Sequence, residues 1–185
     1  MTLLLLSGPG EEPVPLEEAR AYLRLDDETQ DGLVNALMTA ARLTLEAATR
    51  RAFVTQNWRV TLDQWPERGV ILPLAPLQGV TQVSVDGVAL ASDAYLVDLA
   101  SAPPRLKAAQ GVALPAPEDE MAGIAIDMLA GYGAASAVPP PLKQAILMLT
   151  AHWFDNREAV AFGEQVNLLP MGVEALITPY RRRHL

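Results

Sequence analysis

The chain contains no cysteine, so neither a disulfide framework nor a thiolate metal site is available, and a reducing cytoplasm suits its synthesis. It also lacks any run of ~20 apolar residues: charges or prolines interrupt each stretch, which excludes a membrane-crossing helix. Met1 to Leu6 offers four consecutive leucines with no cationic segment before them, and Ser7-Gly8-Pro9-Gly10 ends the run. An export signal is therefore rejected and a soluble protein without membrane contact expected. Positive charge is scarce as well. Fourteen Lys and Arg against 22 Asp and Glu leave a formal charge of -8, the wrong sign for a surface built to grip phosphate backbones. Catalytic signatures are missing too: there is no Gly-x-Ser-x-Gly, no His-Glu-x-x-His and no zinc-type spacing, and Gly131-Tyr132-Gly133 is neither a P-loop nor a dinucleotide fingerprint. The sequence points to no enzyme, no catalytic residue, no metal and no cofactor.

What is present is bulk. At 185 residues, half of them apolar, the chain can bury a core as one domain or two packed subdomains. Pro15 suits a first helical position, with Glu17 and Glu18 near the positive end of the dipole, and Leu16, Ala19 and Leu23 form a stripe that ends near Arg24 or Leu25. Asp27 and Gln30 resemble a capping arrangement. A calcium loop is the rival reading, and the apolar run after Gly32 breaks its ligand pattern. From about Glu28 to Arg51 a long helix is predicted, with Leu33, Leu37, Ala41, Leu45 and Ala48 on its buried stripe. Arg42, Glu46 and Arg50 stand four apart on another face, which reads as a solvated face or as charge offered to a neighbouring subunit.

After Phe53 the period changes to two. Trp58, Val60 and Leu62 alternate with polar residues as in a half-buried strand, and Val70 to Leu72 is a second candidate. Asp86-Gly87 between Val83, Val85, Val88 and Leu90 is a hairpin signal, and strands are expected at 94–98 and from Gly123 to Tyr132. The fold class is α+β: a helical bundle of N-terminal and C-terminal helices with an inserted, mainly antiparallel β-subdomain. Residues 1–54 form the N-terminal helical segment, 55–133 the β-subdomain, and 134–185 a C-terminal helical segment and tail that pack with 1–54. Proline 141 opens a helix carrying Leu142, Ala145, Ile146, Leu149, His152 and Trp153. His152 has no second ligand at metal spacing and reads as a hydrogen-bonded packing residue. In the tail, Leu168, Leu169, Val173, Leu176, Ile177 and Tyr180 are too apolar for a purely solvated extension, so they dock on this subunit or on another protein. Arg181-Arg182-Arg183-His184 makes a basic end on an acidic body, suited to nucleic acid, to an acidic partner, or to solvent as a frayed tail.

A series of phrases in fixed order adds to this: Pro13-Val14-Pro15-Leu16-Glu17-Glu18-Ala19, Glu46 with Arg50-Arg51, Gln56-Asn57-Trp58 with Leu62-Asp63, Ala130-Gly131-Tyr132-Gly133, Lys143-Gln144-Ala145, Ala151 through Glu158, and Pro179-Tyr180-Arg181. Together they resemble the head-tail connector (adaptor) family of long-tailed phages and phage-like gene transfer agents. Arg50-Arg51 departs from the family by occupying a turn where relatives often carry glycine. The resemblance implies a homo-oligomeric ring, twelvefold, beneath the portal protein in the neck of a virion or virus-like particle assembled in the host bacterial cytoplasm. Such a ring extends the DNA channel without sequence-specific binding and offers a platform to stopper and tail-completion proteins. It implies portal contact through the C-terminal segment (Leu168, Leu169, Val173, Leu176, Ile177, Tyr180, Arg181, Arg182, Arg183) and subunit contact through Arg42, Glu46, Arg50, Arg157 and Glu158. The competing reading is a nucleic-acid-binding regulatory protein that uses the C-terminal arginine cluster.

Overall fold

A computed structural model describes residues 1–156 and 169–181. The chain divides into two compact units, one comprising Met1–Gly10 and Val54–Tyr132, the other Glu11–Phe53 and the residues from Gly133 onward.

The first unit holds the strands β1 (Thr2–Ser7), β2 (Gln56–Leu62), β3 (Val70–Ile71), β4 (Leu77–Val85), β5 (Val88–Ala89), β6 (Tyr95–Asp98), β7 (Arg105–Ala108) and β8 (Ile124–Ala130). They form a five-stranded sheet in the order β1-β2-β8-β4-β5 and a three-stranded sheet in the order β3-β7-β6. All pairings are antiparallel. Strand β8 shows why the sequence folds this way. Ile124, Ile126, Met128 and Ala130 are buried, while the residues between them are only half-buried, the period-two pattern of a strand with one face on a core. Its partner β2 sets Val60 opposite Ile126 and Leu62 opposite Ile124, and each fully buried side chain of this size contributes about 1.5–3 kcal/mol. On the other face Arg59, directly opposite Asp127, forms a two-pronged ion pair with it at 2.6 and 2.8 Å. The Asp86-Gly87 turn has positive φ at both positions (50° and 78°), the geometry of a two-residue hairpin whose twist matches its strands. Asp86 also accepts hydrogen bonds from the backbone N–H groups of Glu118 and Asp119, which ties the long loop before β8 to the hairpin.

Two parts of this unit are not anticipated by the sequence pattern. Residues 1–10, expected with the N-terminal helices, instead supply β1, which pairs with β2 along Thr2–Leu5 and again at Ser7. Strand β7 is unexpected because only Leu106 of its four residues is buried. Asp98, at the end of β6, accepts from the Ser101 hydroxyl, from Arg105 and from the Ser101 N–H, and these bonds hold its carboxyl well below the ordinary aspartate range.

The second unit contains α1 (Leu16–Leu23), α2 (Asp31–Thr49), α3 (Pro140–Asp155) and α4 (Met171–Ile177), the last continued by a 3-10 turn at Thr178–Tyr180. α2 packs on α3, α3 on α4, and α1 on both α2 and α3. α1 begins after extended Pro15 with two glutamates in its first turn, as expected, and stops where Arg24 turns left-handed. α2 begins three residues later than the periodicity suggests. Asp27 does not cap it: its carboxylate accepts the N–H and hydroxyl of Thr29 in a local turn, and Gln30 stands at the cap position without capping the helix through its side chain. These bonds also lower the Asp27 pKa. The buried stripe of α2 is Val34, Met38, Ala41, Leu45 and Thr49, rotated by about one residue from the expected one, and Leu33 lies exposed. The reason lies one turn further along the same face, where Arg42 and Glu46 are buried too.

Arg50 ends α2 in the left-handed region, with φ 53° and ψ 40°. This is the turn at which glycine would be free of the steric cost of a Cβ. Arg50→Gly is expected to raise stability by about 1 kcal/mol, read as a higher urea midpoint at unchanged slope.

Candidate assembly surfaces

Glu12 lies thirty residues before Arg42 in sequence yet against it in space. Arg42 donates from Nε to Glu12 Oε2 at 2.8 Å, from Nη2 to Glu12 Oε1 at 3.2 Å, and from Nη1 to Glu46 Oε2 at 3.0 Å. Thr39 adds its hydroxyl to Glu12 at 3.0 Å, and Glu46 Oε1 accepts the Phe53 N–H at 2.7 Å. Arg42 is 5% exposed and Glu46 9%. Burial works against the guanidinium charge, but the bonds to Glu12 and the field of both carboxylates outweigh it and raise the Arg42 pKa. Neither the solvated face nor the charge offered to a neighbour is therefore what Arg42 and Glu46 form. They bind the start of the helical unit to α2 and hold the chain where it leaves α2 at Phe53. Arg50 is exposed, whereas Arg157 and Glu158 lie outside the described residues.

The tail divides between inside and outside. Val173 and Ile177 are fully buried in their own unit, where α4 packs on α3. Leu169, Leu176 and Tyr180 are half-buried, and the Tyr180 carbonyl accepts from Arg51 Nε at 2.7 Å. Arg181 pairs with Glu174 at 2.8 Å. Leu168, Arg182 and Arg183 lie outside the described residues. Docking on the chain's own core thus accounts for Val173 and Ile177, and the apolar surface that remains on α4 is led by Met171.

Two exposed apolar surfaces escaped the sequence reading. On α2, Leu33, Ala36, Ala40, Leu43 and Ala47 are exposed, and because Arg42 and Glu46 turn inward this outer face has no charged residue after Asp31 until Arg50. On β1, Leu4, Leu5 and Leu6 are 46%, 47% and 49% exposed. The leucine run itself was the visible signal. Read against export alone, it gave no hint of an edge strand.

Two depressions lie on the surface of the described residues. A depression of about 390 Å³ lies between residues 65–69 and Leu106, Lys107, Ala108 and Leu114, and a second is walled by Asp63, Glu118, Asp119 and Glu120. Among the described residues no three His, Cys, Asp or Glu side chains are grouped to hold a metal ion. No helix among them is long and apolar enough to cross a membrane. His152 is exposed, and not the packing residue its spacing suggested; its Nδ1 lies 3.4 Å from Asn156 Nδ2 near the end of α3.

No family model matches the chain, and no curated protein matches it. Solved structures do. The whole chain aligns with a chain in the neck of an empty GTA particle computed with C6 symmetry, at 29% identity and TM-score 0.83, covering 97% of that chain. It aligns as completely with a chain in the virion of a native gene transfer agent (GTA) particle, at 28% identity and TM-score 0.81, again over 97% of that chain. A chain in the neck of a native GTA particle computed with C12 symmetry matches at 25% identity and TM-score 0.75, with 97% of that chain covered. This likeness to neck and virion chains supports a structural neck component.

Proposed function

We propose that this protein is a head-tail connector, an adaptor subunit that assembles as a ring in the neck of a phage or gene transfer agent particle. The carrying observation is end-to-end likeness in both directions: all of this chain aligns with nearly all of a chain in particle necks computed with sixfold and twelvefold symmetry. A shared fold alone would not specify a role. Here the sequence phrases point to the same place independently, and the described surface presents uncharged faces suited to protein contact. Rotational symmetry requires a heterologous interface, in which one patch meets a different patch and the rotation closes. In this reading the ring is twelvefold and sits beneath the portal. It extends the DNA passage and presents a platform to stopper and tail-completion proteins. An acidic body discourages phosphate from adhering as DNA moves through. The outer face of α2 and the exposed Arg50 serve subunit contact. The exposed part of the tail, from Leu169 through the arginine cluster, serves portal contact, with Val173 and Ile177 as its anchor in the subunit.

Electron microscopy of purified particles tests the location: density for two unit types of this fold, repeated around the axis below the head, is expected, and its absence there removes the proposal. Removing residues 182–185 leaves the Tyr180 carbonyl and its bond to Arg51 intact. The shortened chain is expected to fold and to lose capture by the portal protein in a pull-down. Undiminished capture would take the basic end out of the interface.

A further inference from the structure

We infer, building on the ring reading, that the five-stranded sheet continues from one copy of the chain to the next, with β1 of one copy adding to the outer edge of β4 in its neighbour. β1 is the terminal strand of its sheet; it pairs with β2, and among the described residues no strand lies on its other side. Such an edge presents a row of unpaired backbone donors and acceptors, and soluble proteins ordinarily guard it with lysine, proline or extreme shortness. β1 has none of these three guards, and the one irregularity along it is the register shift between Leu5 and Ser7. Thr2–Ser7 is six residues long, uncharged and without proline, and leucines stand exposed on both of its faces. A strand whose function ended with completing this sheet would gain nothing from that much solvated leucine.

The opposite end of the sheet has a second, different free edge. β4 pairs with β8 along most of its length, but on its outer side β5 pairs with Ser84 and Val85 alone. The Val83 carbonyl accepts the Leu90 N–H as well, so the segment 77–82 is left, and it too is uncharged and without proline. Gln78, Thr81 and Gln82 are exposed, and no atom lies within 4 Å of where a Cβ on Gly79 would stand. At ~3.3 Å per residue the two free edges are matched in length at roughly 20 Å. Two register shifts, at Leu77/Gly79 and Val80/Gln82, mark irregularities that bend a strand and increase its twist, so an added strand turns away from a flat extension, as closure about an axis requires.

The occupant is a second copy of this chain for two reasons. Copies carrying a formal charge of -8 repel one another, and these two edges are segments on which that repulsion has no local source. A rotational ring also needs unlike patches on one subunit, which β1 and the outer edge of β4 are; β1 meeting β1 would be isologous and would stop at a dimer.

The absence of native cysteine makes the pairing testable. Leu5→Cys and Thr81→Cys, both at exposed positions, are introduced in separate full-length chains that are co-expressed in the particle-producing host. Purified particles are treated with a bismaleimide short enough to join only adjacent strands. A species of twice the chain mass is expected from particles holding both variants and from neither variant alone. Circular dichroism of each purified variant checks that it folds as the parent does. If the chain is in the neck but the mixed particles give no doubled species, or if Leu5→Cys alone gives one, the edge pairing is wrong while the ring stands. If the chain is absent from the particles, the neck reading fails and this inference with it.

Discussion

Arg42→Met lowers the stability of the helical unit by about 3–5 kcal/mol, because it leaves two carboxylates without their cation, one of them almost wholly buried. Methionine keeps much of the apolar stem, so the loss isolates the charge from packing. Urea unfolding followed by far-UV circular dichroism gives the value, and the double change Arg42→Met with Glu46→Gln is expected to recover part of it, since the second substitution removes a charge the first has stranded. Glu46 also receives the Phe53 N–H, a bond glutamine can keep through its carbonyl. A loss below about 1 kcal/mol would mean that the cluster behaves like a surface pair.

Gly131→Ala destabilises the sheet unit by about 3 kcal/mol, the upper end of what overpacking costs. Its φ of 134° lies where side chains are rarely accommodated, and a Cβ there would stand 2.5 Å from the Val54 carbonyl oxygen and 2.7 Å from the Thr55 nitrogen. Both neighbours are backbone and have no rotamer to yield. Gly79→Ala is the control: with open space around it, its effect is expected within about 0.5 kcal/mol. Tryptophan fluorescence from Trp58 and Trp65, measured in a chain with Trp153→Phe, reads the sheet unit through the urea transition. Equal midpoints for Gly131→Ala and the parent would refute the close approach.

What the sequence disclosed and what it hid follow from the range of the interactions. The hairpin at Asp86-Gly87, the alternation of β8 and the stop of α1 near Arg24 are decided by residues within a few positions of each other, and each is visible in the chain. The Arg42–Glu46 pair looked like an exposed four-residue repeat because the second carboxylate comes from Glu12, and no local pattern announces a partner thirty positions away. The same cause rotated the α2 stripe by one residue. β1 was hidden for a related reason: its pairing partner Trp58 stands more than fifty residues downstream, and alternation cannot be read in four leucines in a row. Among the tail residues, apolar spacing marked Val173 and Ile177 as docking residues, but only packing against α3 shows that the dock is this chain's own. The glycine position of the second-helix exit was legible as a departure, and the left-handed backbone at Arg50 supplies its physical meaning.

The order in which these units take their residues from the chain also constrains synthesis. On the ribosome the leucine strand emerges some fifty residues before its neighbour β2; the central strand β8, between β2 and β4, arrives only with residues 124–130. Helices α1 and α2 meanwhile wait for α3, beyond residue 140. Neither unit can close before these later elements are made, so the leucine strand lacks its completed sheet until β8 has followed. Yield of folded protein is thus governed by what shields the leucine strand until β8 has been made.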